Sequence, residues 1–491
     1  MHSVAENSGR TRIAKDKLNL RFLFEPKGIA LIGASPKPSL AKSILGNIVS
    51  FGFDGKIAAV NPSYTMIDDV DCYRSISDVP FQVDLAVLCV RAENILSLLE
   101  ECERNSVRTV QIISSGFAEL DTEEGRIKQQ ELQRWAEESA TTIVGPNTFG
   151  VINLHRSLVA VGDSKITRVV PGGVSGVFQS GQMATVMHPL MGRGVGISKL
   201  ATTGNEASIT TAELINFFAD DPQTEMIISY CEGIKDPERF TLACGRARER
   251  GKPIIMLRVG AHPEVRSAIG RHTATQAAKS YEREIDLLHD LRVITVESAE
   301  DLIETVVAFQ VCHKPRGNRV AFASFSGGMG NIVADTILSI RGLKLVSFSS
   351  QLRERLGHVL PKFANCVNPL DLSAQTIFNV EVLGRCTQLL GESGEIDLLL
   401  WGLDLPMSIK DDSPVGLALT ELMARHPEVV VIPVSQMNGL CRDYQIDGGP
   451  PTFAGRALLQ GTAASVRAIA RVIEWHASRP VPGTAMLQAS Q

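Results

Sequence analysis

Short apolar runs alternate with helical stretches along most of the chain. In the first third, runs typical of buried strands cover Gly28–Gly33, Lys56–Pro62, Val83–Val90 and Arg108–Ser114. Helical stretches such as Leu40–Val49 lie between them. Strands that alternate with helices in this way predict a parallel sheet with helices on both faces.

The same alternation recurs twice in the rest of the chain. The second set of predicted strands is Val174–Gly181, Ile197–Gly204, Thr224–Gly233, Pro253–Gly260 and Val293–Val296. A polar linker at 313–318 separates it from a third set, which is Arg319–Gly328, Leu343–Phe348, Asp397–Leu403 and Glu428–Ser435. Helices are predicted at Gln182–Gly194, Met329–Gly342 and Thr452–Ala477. The period of the second set suggests a flavodoxin-like sheet, and the third set repeats the same alternation of strands and helices.

Composition agrees with this α/β reading and narrows the class of partner. Of the 491 residues, 44% are hydrophobic, 5% are aromatic and 41 are glycine, as expected for many tight strand-to-helix turns. A formal net charge of -5 gives no electrostatic case for nucleic acid or an anionic membrane. We therefore expect small molecules or proteins as partners.

Compartment and metal content are predicted from what the sequence lacks. No apolar run is long enough for a membrane span, and the polar first residues have no apolar middle of the kind a secretory signal needs. The nine cysteines show no metal-ligand spacing. We expect a cytoplasmic protein with reduced thiols and no metal site of its own.

The carboxyl ends of the first four strands predict one ligand crevice. Parallel strands place the loops Gly33–Ser35, Asn61–Pro62, Val90–Ala92 and Ser114–Phe117 at the same sheet edge. The Gly33 turn opens toward a helix start, which suits a phosphate or pyrophosphate. It is not a GxGxxG fingerprint, and Asn61–Pro62 stands where an NAD enzyme would have an acidic residue. This argues against a dehydrogenase.

Two later turns repeat one chemical pattern. Ser180–Gly181 and Ser326–Gly328 both follow a predicted strand and precede a predicted helix. A helix start offers about half a positive elementary charge to an anion. Both turns are therefore candidate phosphate sites, with plain helix capping as the alternative for each serine.

Short motifs, in a fixed order, resemble those of the α part of the nucleoside-diphosphate-forming acyl-CoA synthetases, the relatives of succinyl-CoA synthetase. The motifs that carry the resemblance are IALIGASP at 29–36, AVNP at 59–62, SGFAE at 115–119, VGPNTFG at 144–150, FQSG at 178–181, TGNEA at 203–207, YCEGIKDPERF at 230–240, RHTA at 271–274, SGGMG at 326–330 and NPLDLS at 368–373.

The resemblance implies a fold and a domain order. It implies an N-terminal Rossmann-like CoA-binding domain followed by two flavodoxin-like domains of the succinyl-CoA-synthetase type. The domain limits predicted on this basis are 1–20 for a polar extension, 21–155, 165–312 with the phosphohistidine loop, 317–480, and 481–491 for a tail.

The resemblance also implies an enzyme that carries phosphate on histidine. In such an enzyme an acid and CoA form acyl-CoA through an acyl phosphate, and the histidine exchanges the phosphoryl group with a nucleotide. It assigns His272 as the phosphorylated residue and Glu232 as the carboxylate that orients it. A carboxylate on one ring nitrogen would leave the other nitrogen free to attack.

The remaining site residues follow from the same resemblance. Phosphate would be held by Ser180, Gly181, Ser326, Gly327 and Gly328. Coenzyme A would be held by Gly33, Ala34, Ser35, Asn61, Pro62, Val90, Ser114, Ser115, Gly116, Phe117, Pro146 and Asn147. The acid itself, a small carboxylic acid, is not named by these residues.

The sequence contains no stretch that resembles an ATP-grasp module and no GxxxxGK[ST] loop. ATP or ADP, with Mg, is therefore expected on a partner, an ATP-grasp β subunit in an α2β2 assembly. Two alternatives stay open. Ala274 stands where the family has glycine, which favours a nucleotide-independent acyl or carbamoyl transferase, and a CoA-binding regulatory protein is the other.

Overall fold

The computed structural model describes residues 20–266, 269, 281–312, 314–439 and 452–477. It divides into two compact units. The first contains Gly196–Glu297 and the described residues up to Met191, and the second contains Gly192–Val195 and the described residues from Ser298 onward. Both are α/β, as predicted. The finer limits at 155, 165, 312 and 317 stay predictions.

The first sheet of the first unit has seven strands in the order β3-β4-β2-β1-β5-β6-β7. The strands are β1 Gly28–Ile32, β2 Lys56–Val60, β3 Met66–Ile67, β4 Val70–Tyr73, β5 Leu85–Leu88, β6 Thr109–Ile112 and β7 Thr142–Val144. The neighbours β2, β1, β5, β6 and β7 pair in parallel, and β3 with β4 forms a small antiparallel pair. The helices beside this sheet are Leu40–Ser50, Ile95–Arg104 and Glu123–Glu138.

The second sheet of the first unit also has seven strands, in the order β14-β13-β12-β10-β11-β8-β9. The strands are β8 Gly150–Asn153, β9 Leu158–Val161, β10 Pro171–Phe178, β11 Ile197–Thr202, β12 Met226–Cys231, β13 Ile254–Arg258 and β14 Ile294–Val296. The antiparallel strands β8 and β9 were not predicted, and the predicted limit at residue 155 falls between them. Helices at Met187–Gly192, Thr211–Asp220, Pro237–Glu249 and Tyr281–Asp290 accompany this sheet.

The two sheets of the first unit share one apolar core. Phe24 stacks on Phe217 of the helix Thr211–Asp220 with 5.1 Å between ring centroids. Strand β1 is buried at every position, because helices cover both faces of a parallel sheet. The apolar runs read from the sequence are therefore core strands.

The second unit contains a parallel sheet in the order β16-β15-β18-β19-β22, with β17 beside β15. The strands are β15 Arg319–Ser324, β16 Lys344–Leu345, β17 Leu370–Asp371, β18 Leu398–Leu403, β19 Val430–Ser435, β20 Thr452–Phe453, β21 Arg456–Ala457 and β22 Leu459–Gln460. The helices are Ala299–Val311, Gly327–Ser339, Ser350–Gly357, Val380–Glu392, Pro414–Arg425 and Thr462–Ala477. Among the helices described in both units, none is long and apolar enough to cross a membrane.

Two predicted helices and one predicted strand were wrong in extent. The helix predicted at Thr452–Ala477 begins only at Thr462, because Leu459–Gln460 pairs with β19 and Gly461, at φ +74°, turns the chain. The helix predicted at Gln182–Gly194 is a 3₁₀ turn followed by a short α-helix, Met187–Gly192. Pro189 has no N–H for a continuous ladder. The strand predicted at Leu343–Phe348 is two residues long.

Candidate active site

The loops predicted to hold CoA follow five neighbouring parallel strands of the first sheet. Gly33, Ala34 and Ser35 follow β1; Asn61 and Pro62 follow β2; Val90 follows β5; Ser114, Ser115, Gly116 and Phe117 follow β6; and Pro146 and Asn147 follow β7. Parallel strands bring their carboxyl ends to one edge. The fold therefore gathers these residues along one edge of the first sheet, which we call the crest.

Gly33 is required by its surroundings. Its φ is +92°, and a Cβ at this position would lie 2.4 Å from the carbonyl oxygen of Cys89. The next residue is fixed by a neighbouring loop, since Asn61 Nδ2 donates to the Ala34 carbonyl oxygen over 2.7 Å. Only glycine allows this close backbone approach. A turn without a side chain at this position fits a pyrophosphate group.

A lysine that was not predicted lies against this turn. The helix Leu40–Ser50 begins after Ser39, whose hydroxyl accepts from the N–H of Lys42 at 3.2 Å. The Lys42 ammonium donates to the Pro36 carbonyl oxygen at 2.9 Å and is 3.3 Å from the Asp68 carboxylate. A cation beside first-turn N–H groups suits the phosphates of CoA.

The turn after β6 is held from inside by Glu119. Its Oε1 accepts from the backbone N–H of Gly116 at 2.5 Å and of Phe117 at 3.1 Å. The Phe117 side chain is buried, whereas Ser115 is exposed. The N–H groups of Gly116 and Phe117 are therefore used in hydrogen bonds that stabilise the turn. Ser115 is the residue of this turn that is exposed to solvent.

Glu119 also joins the two sheets. Its Oε2 accepts from Asn205 Nδ2, which donates to Gln129 Oε1 at 3.2 Å as well. The Asn205 N–H donates to the Pro146 carbonyl oxygen at 2.9 Å, and its Oδ1 accepts from Asn147 Nδ2 at 3.4 Å. Pro146 and Asn147 consequently pack onto the Thr203–Ala207 loop of the second sheet.

The second sheet brings Ser180 and Gly181 close to Glu232. They follow the paired strands β10 and β12, and the Gln179 N–H donates to the Tyr230 carbonyl oxygen at 3.1 Å. Glu232 is 4% exposed. The paired strand ends therefore place the buried residue Glu232 next to the predicted phosphate turn along the backbone.

Gln179 connects these two strand ends through its side chain. Its Oε1 accepts from the N–H groups of Glu232 at 2.5 Å and Gly233 at 3.1 Å. Its Nε2 donates to the Gly233 carbonyl oxygen at 2.8 Å and to Glu206 Oε1 at 3.2 Å. All four contacts are buried, so the turn before Ser180 is fixed to the backbone of Glu232.

Buried titratable groups surround this turn. Burial raises the pKa of Glu206, against the opposing effect of the Lys235 charge, and burial lowers the pKa of Lys235. The pKa of Tyr230 is raised by burial first and then by the negative charge of Glu232. The Lys235 ammonium donates to the carbonyl oxygens of Asn205 and Glu206. Such a concentration of perturbed groups is typical of a reactive site.

His272 lies outside the described residues, as does Ala274. Arg258 stands at the end of β13, before that stretch, and Glu284 lies in the helix after it. The Arg258 guanidinium is 2.8 Å from the Glu284 carboxylate. The same guanidinium lies 5.2 Å from the ring centroid of Tyr281. The strand before the histidine segment is thus fixed to the helix after it.

The other predicted phosphate turn, Ser326–Gly328, lies in the second unit. Ser326 caps the helix Gly327–Ser339, because its Oγ accepts from the Met329 N–H at 3.4 Å. A Cβ on Gly327 would lie 2.9 Å from Asp371 Oδ2. This helix start therefore has a carboxylate beside it, and the serine hydroxyl is used as a cap.

Several polar residues of the first unit were missed by the sequence reasoning, namely Lys42, Glu119, Gln179, Glu206 and Lys235. Glu119 and Glu206 are the acidic residues of the SGFAE and TGNEA motifs, which was a signal that could have been read. Within the described ranges, no cluster of three or more His, Cys, Asp or Glu side chains could hold a metal ion.

Comparison with known proteins gives the chain a family. Residues 27–153 match the CoA binding domain family, and residues 171–309 match the succinyl-CoA ligase like flavodoxin domain. Subunit alpha of ADP-forming acetate–CoA ligase I of Pyrococcus furiosus is 34% identical over 367 residues, which are 72% of this chain and 77% of that one. Subunit alpha of ligase II of the same organism is 31% identical, over 85% of this chain and 88% of that one.

A solved structure agrees with these relatives over nearly the whole chain. It is an acetyl-coenzyme A synthetase 1 of Candidatus Korarchaeum cryptofilum, described as dinucleotide forming, in complex with phosphate and ADP. The TM-score is 0.79 at 25% identity, over 93% of this chain and 97% of that one. With the two α subunits above, this likeness establishes that the chain belongs to the family of the ADP-forming acyl-CoA ligases.

Proposed function

We propose that this chain is the α subunit of an ADP-forming acid–CoA ligase that makes acyl-CoA through a phosphohistidine. The observation that carries the proposal is the pairing of β10 with β12, after which the Ser180–Gly181 turn and the buried residue Glu232 follow side by side. The crest of CoA-type loops in the same unit supports the second half of the reaction.

The proposed reaction has three reversible transfers. His272 attacks the terminal phosphorus of the nucleoside triphosphate, the bond to the diphosphate breaks, and the diphosphate leaves. The substrate carboxylate then takes the phosphoryl group from His272 and becomes an acyl phosphate. The CoA thiolate attacks the acyl carbon, the bond to phosphate oxygen breaks, and inorganic phosphate leaves with the electron pair.

Glu232 is proposed to orient and stabilise the imidazole of His272. A carboxylate that accepts from one ring N–H fixes the tautomer and stabilises positive charge on the ring as the other nitrogen reacts. Glu232 is suited to this because it is buried and its backbone is fixed by Gln179. Ser180 and Gly181 are proposed to donate to the phosphoryl oxygens.

CoA is proposed to bind along the crest of the first sheet. The Gly33–Ser35 turn and Lys42 suit its phosphates, and Asn61 and Ser115 border the same edge. Glu119 and Asn205 would keep this crest in register with the second sheet, which carries the phosphoryl chemistry.

The nucleotide, with Mg, is proposed to bind on a separate ATP-grasp β subunit in an α2β2 assembly. One observation supports a partner: the P. furiosus relatives are named α subunits. The acid is proposed to be a small carboxylic acid.

The test is transfer of labelled phosphate. The chain is mixed with its nucleotide-binding partner and ATP labelled at the terminal phosphate, and we expect a protein label that is stable in base and lost in acid. His272→Ala should abolish the label. His262→Ala, which changes an exposed histidine ten positions earlier, is the matched control and should keep it. An unlabelled wild-type chain would contradict the proposal, as would a fully labelled His272→Ala chain.

A further inference from the structure

Gln179 has an amide whose orientation is determined by its neighbours. The N–H groups of Glu232 and Gly233 are donors only, so the atom that faces them must be the oxygen Oε1. The nitrogen Nε2 therefore faces the Gly233 carbonyl oxygen and Glu206 Oε1. If the amide were reversed, its NH₂ group would face the N–H groups of Glu232 and Gly233, and no hydrogen bond could form between these buried donors.

Glu206 must in turn present an acceptor to this amide. Its Oε1 accepts from Gln179 Nε2, from the Thr203 hydroxyl at 3.0 Å, and from the N–H and hydroxyl of Thr211 at 2.9 and 2.8 Å. Its Oε2 is buried and has no hydrogen-bond partner among the described residues. Oε1 thus accepts four hydrogen bonds, and Oε2 is the oxygen that can carry a proton.

The backbone at Glu206 is held in a costly conformation. Its φ is +52°, a left-handed value that residues with a side chain rarely adopt. The residue is 3% exposed and shares its loop with Asn205, which is bound to Glu119. A strained, buried carboxyl with one fully used oxygen is what a fixed orienting group requires.

We propose that Gln179 and Glu206 are positioning residues that set the orientation of Glu232 for the reaction. Gln179 fixes the Glu232 backbone to the end of β10, and Glu206 fixes which way the Gln179 amide faces. The inference rests on the role given to Glu232 in the proposed function, and neither residue is proposed to touch substrate.

The first test is Gln179→Glu, measured as the rate of phosphohistidine formation by the chain with its partner and labelled ATP. An ionised carboxylate would set an oxygen against Glu206 Oε1 and the Gly233 carbonyl oxygen, whereas a protonated one can still donate. We expect a rate roughly tenfold below wild type at neutral pH that recovers as the pH falls. The other titratable groups near this position are Tyr230, Cys231, Glu232 and Lys235, so wild type provides the baseline profile.

The second test separates the acceptor role of Glu206 from its charge. Glu206→Gln keeps an oxygen for the four donors and should stay within about threefold of the wild-type rate, whereas Glu206→Leu removes the acceptor and should lose roughly tenfold. Ser175→Ala is the matched control: Ser175 lies on β10, the strand that ends just before Gln179, and the change removes its buried 2.7 Å hydrogen bond to the Thr224 hydroxyl. It should lower Tm and leave the rate unchanged.

The outcomes distinguish this inference from the function on which it rests. A labelled wild-type chain together with a Gln179→Glu chain of wild-type rate and pH profile would overturn the inference alone. So would a Glu206→Leu chain that folds and labels at the wild-type rate. If Glu206→Leu does not fold, the pH profile of Gln179→Glu still decides. A wild-type chain without label overturns the proposed function and this inference together.

Discussion

The turns at Ser180–Gly181 and Ser326–Gly327 look alike in sequence but differ in structure. Ser326 caps a 13-residue α-helix with its hydroxyl. After Ser180 the chain forms a 3₁₀ turn, Gln182–Val186, whose N-cap is Gly181 and which has no side-chain cap bond. One serine hydroxyl is therefore used to begin a helix, and the other makes no such contact.

The surroundings of the two turns differ as well. The first has Gln179 and the buried carboxyls of Glu232 and Glu206 beside it, whereas the second has Asp371 next to its first helical glycine. A Ser-Gly motif after a strand therefore does not specify one role. The length of the following helix and the side chains of neighbouring strands decide whether the serine hydroxyl caps a helix.

The largest effect that would sharpen this comparison is expected from Glu232→Gln. In the role proposed for Glu232, an amide could not stabilise positive charge on the imidazole of His272, so phosphohistidine formation should slow by roughly 10²- to 10⁴-fold. Rapid-quench measurement of the labelled protein would report the rate, with Glu249→Gln, an exposed carboxylate at a helix end, as control. Equal rates in Glu232→Gln and wild type would remove the chemical distinction between the two turns.

A smaller effect is expected from Glu119→Gln. Glu119 lies in the first unit, which contains both the Ser180–Gly181 turn and the CoA-type loops. The amide can accept from Gly116 and Phe117 but would then direct its own N–H groups at Asn205 Nδ2. Lost charge-assisted bonds of this kind are worth about 1.5–3 kcal/mol. We expect CoA affinity, measured by calorimetry, to fall about tenfold or more, whereas exposed Glu124→Gln should bind CoA as wild type does.

Most of the core strands were predictable because their signal is local. Strand β1 is buried along its whole length, so its apolar run identifies it without a partner. The start of the last helix after Gly461 was not predicted, because the strand β22 before it exists only through its pairing with β19. The strands β8 and β9 depend likewise on pairing with each other and with β11.

The site was predictable only in part, for the same reason. Gly33 and Glu232 stand at strand ends that the hydrophobic pattern locates. Gln179 and Glu119 act through contacts to residues 53 and 86 positions away, with Glu232 and Asn205. No spacing rule along the chain reveals such contacts, although the acidic residue in each motif marks where to look.

The smallest effect is the most direct comparison of the two serines. Ser326→Ala removes a helix cap and should lower the free energy of unfolding by about 1 kcal/mol. Ser180→Ala removes no cap bond and should stay within about 0.5 kcal/mol of wild type. Urea unfolding of both variants measures the difference. The label assay reverses the order: Ser180→Ala should slow phosphohistidine formation, because its hydroxyl is the one proposed to donate to phosphate. Equal stability losses would mean that both serines are caps and that the resemblance in sequence extends to structure.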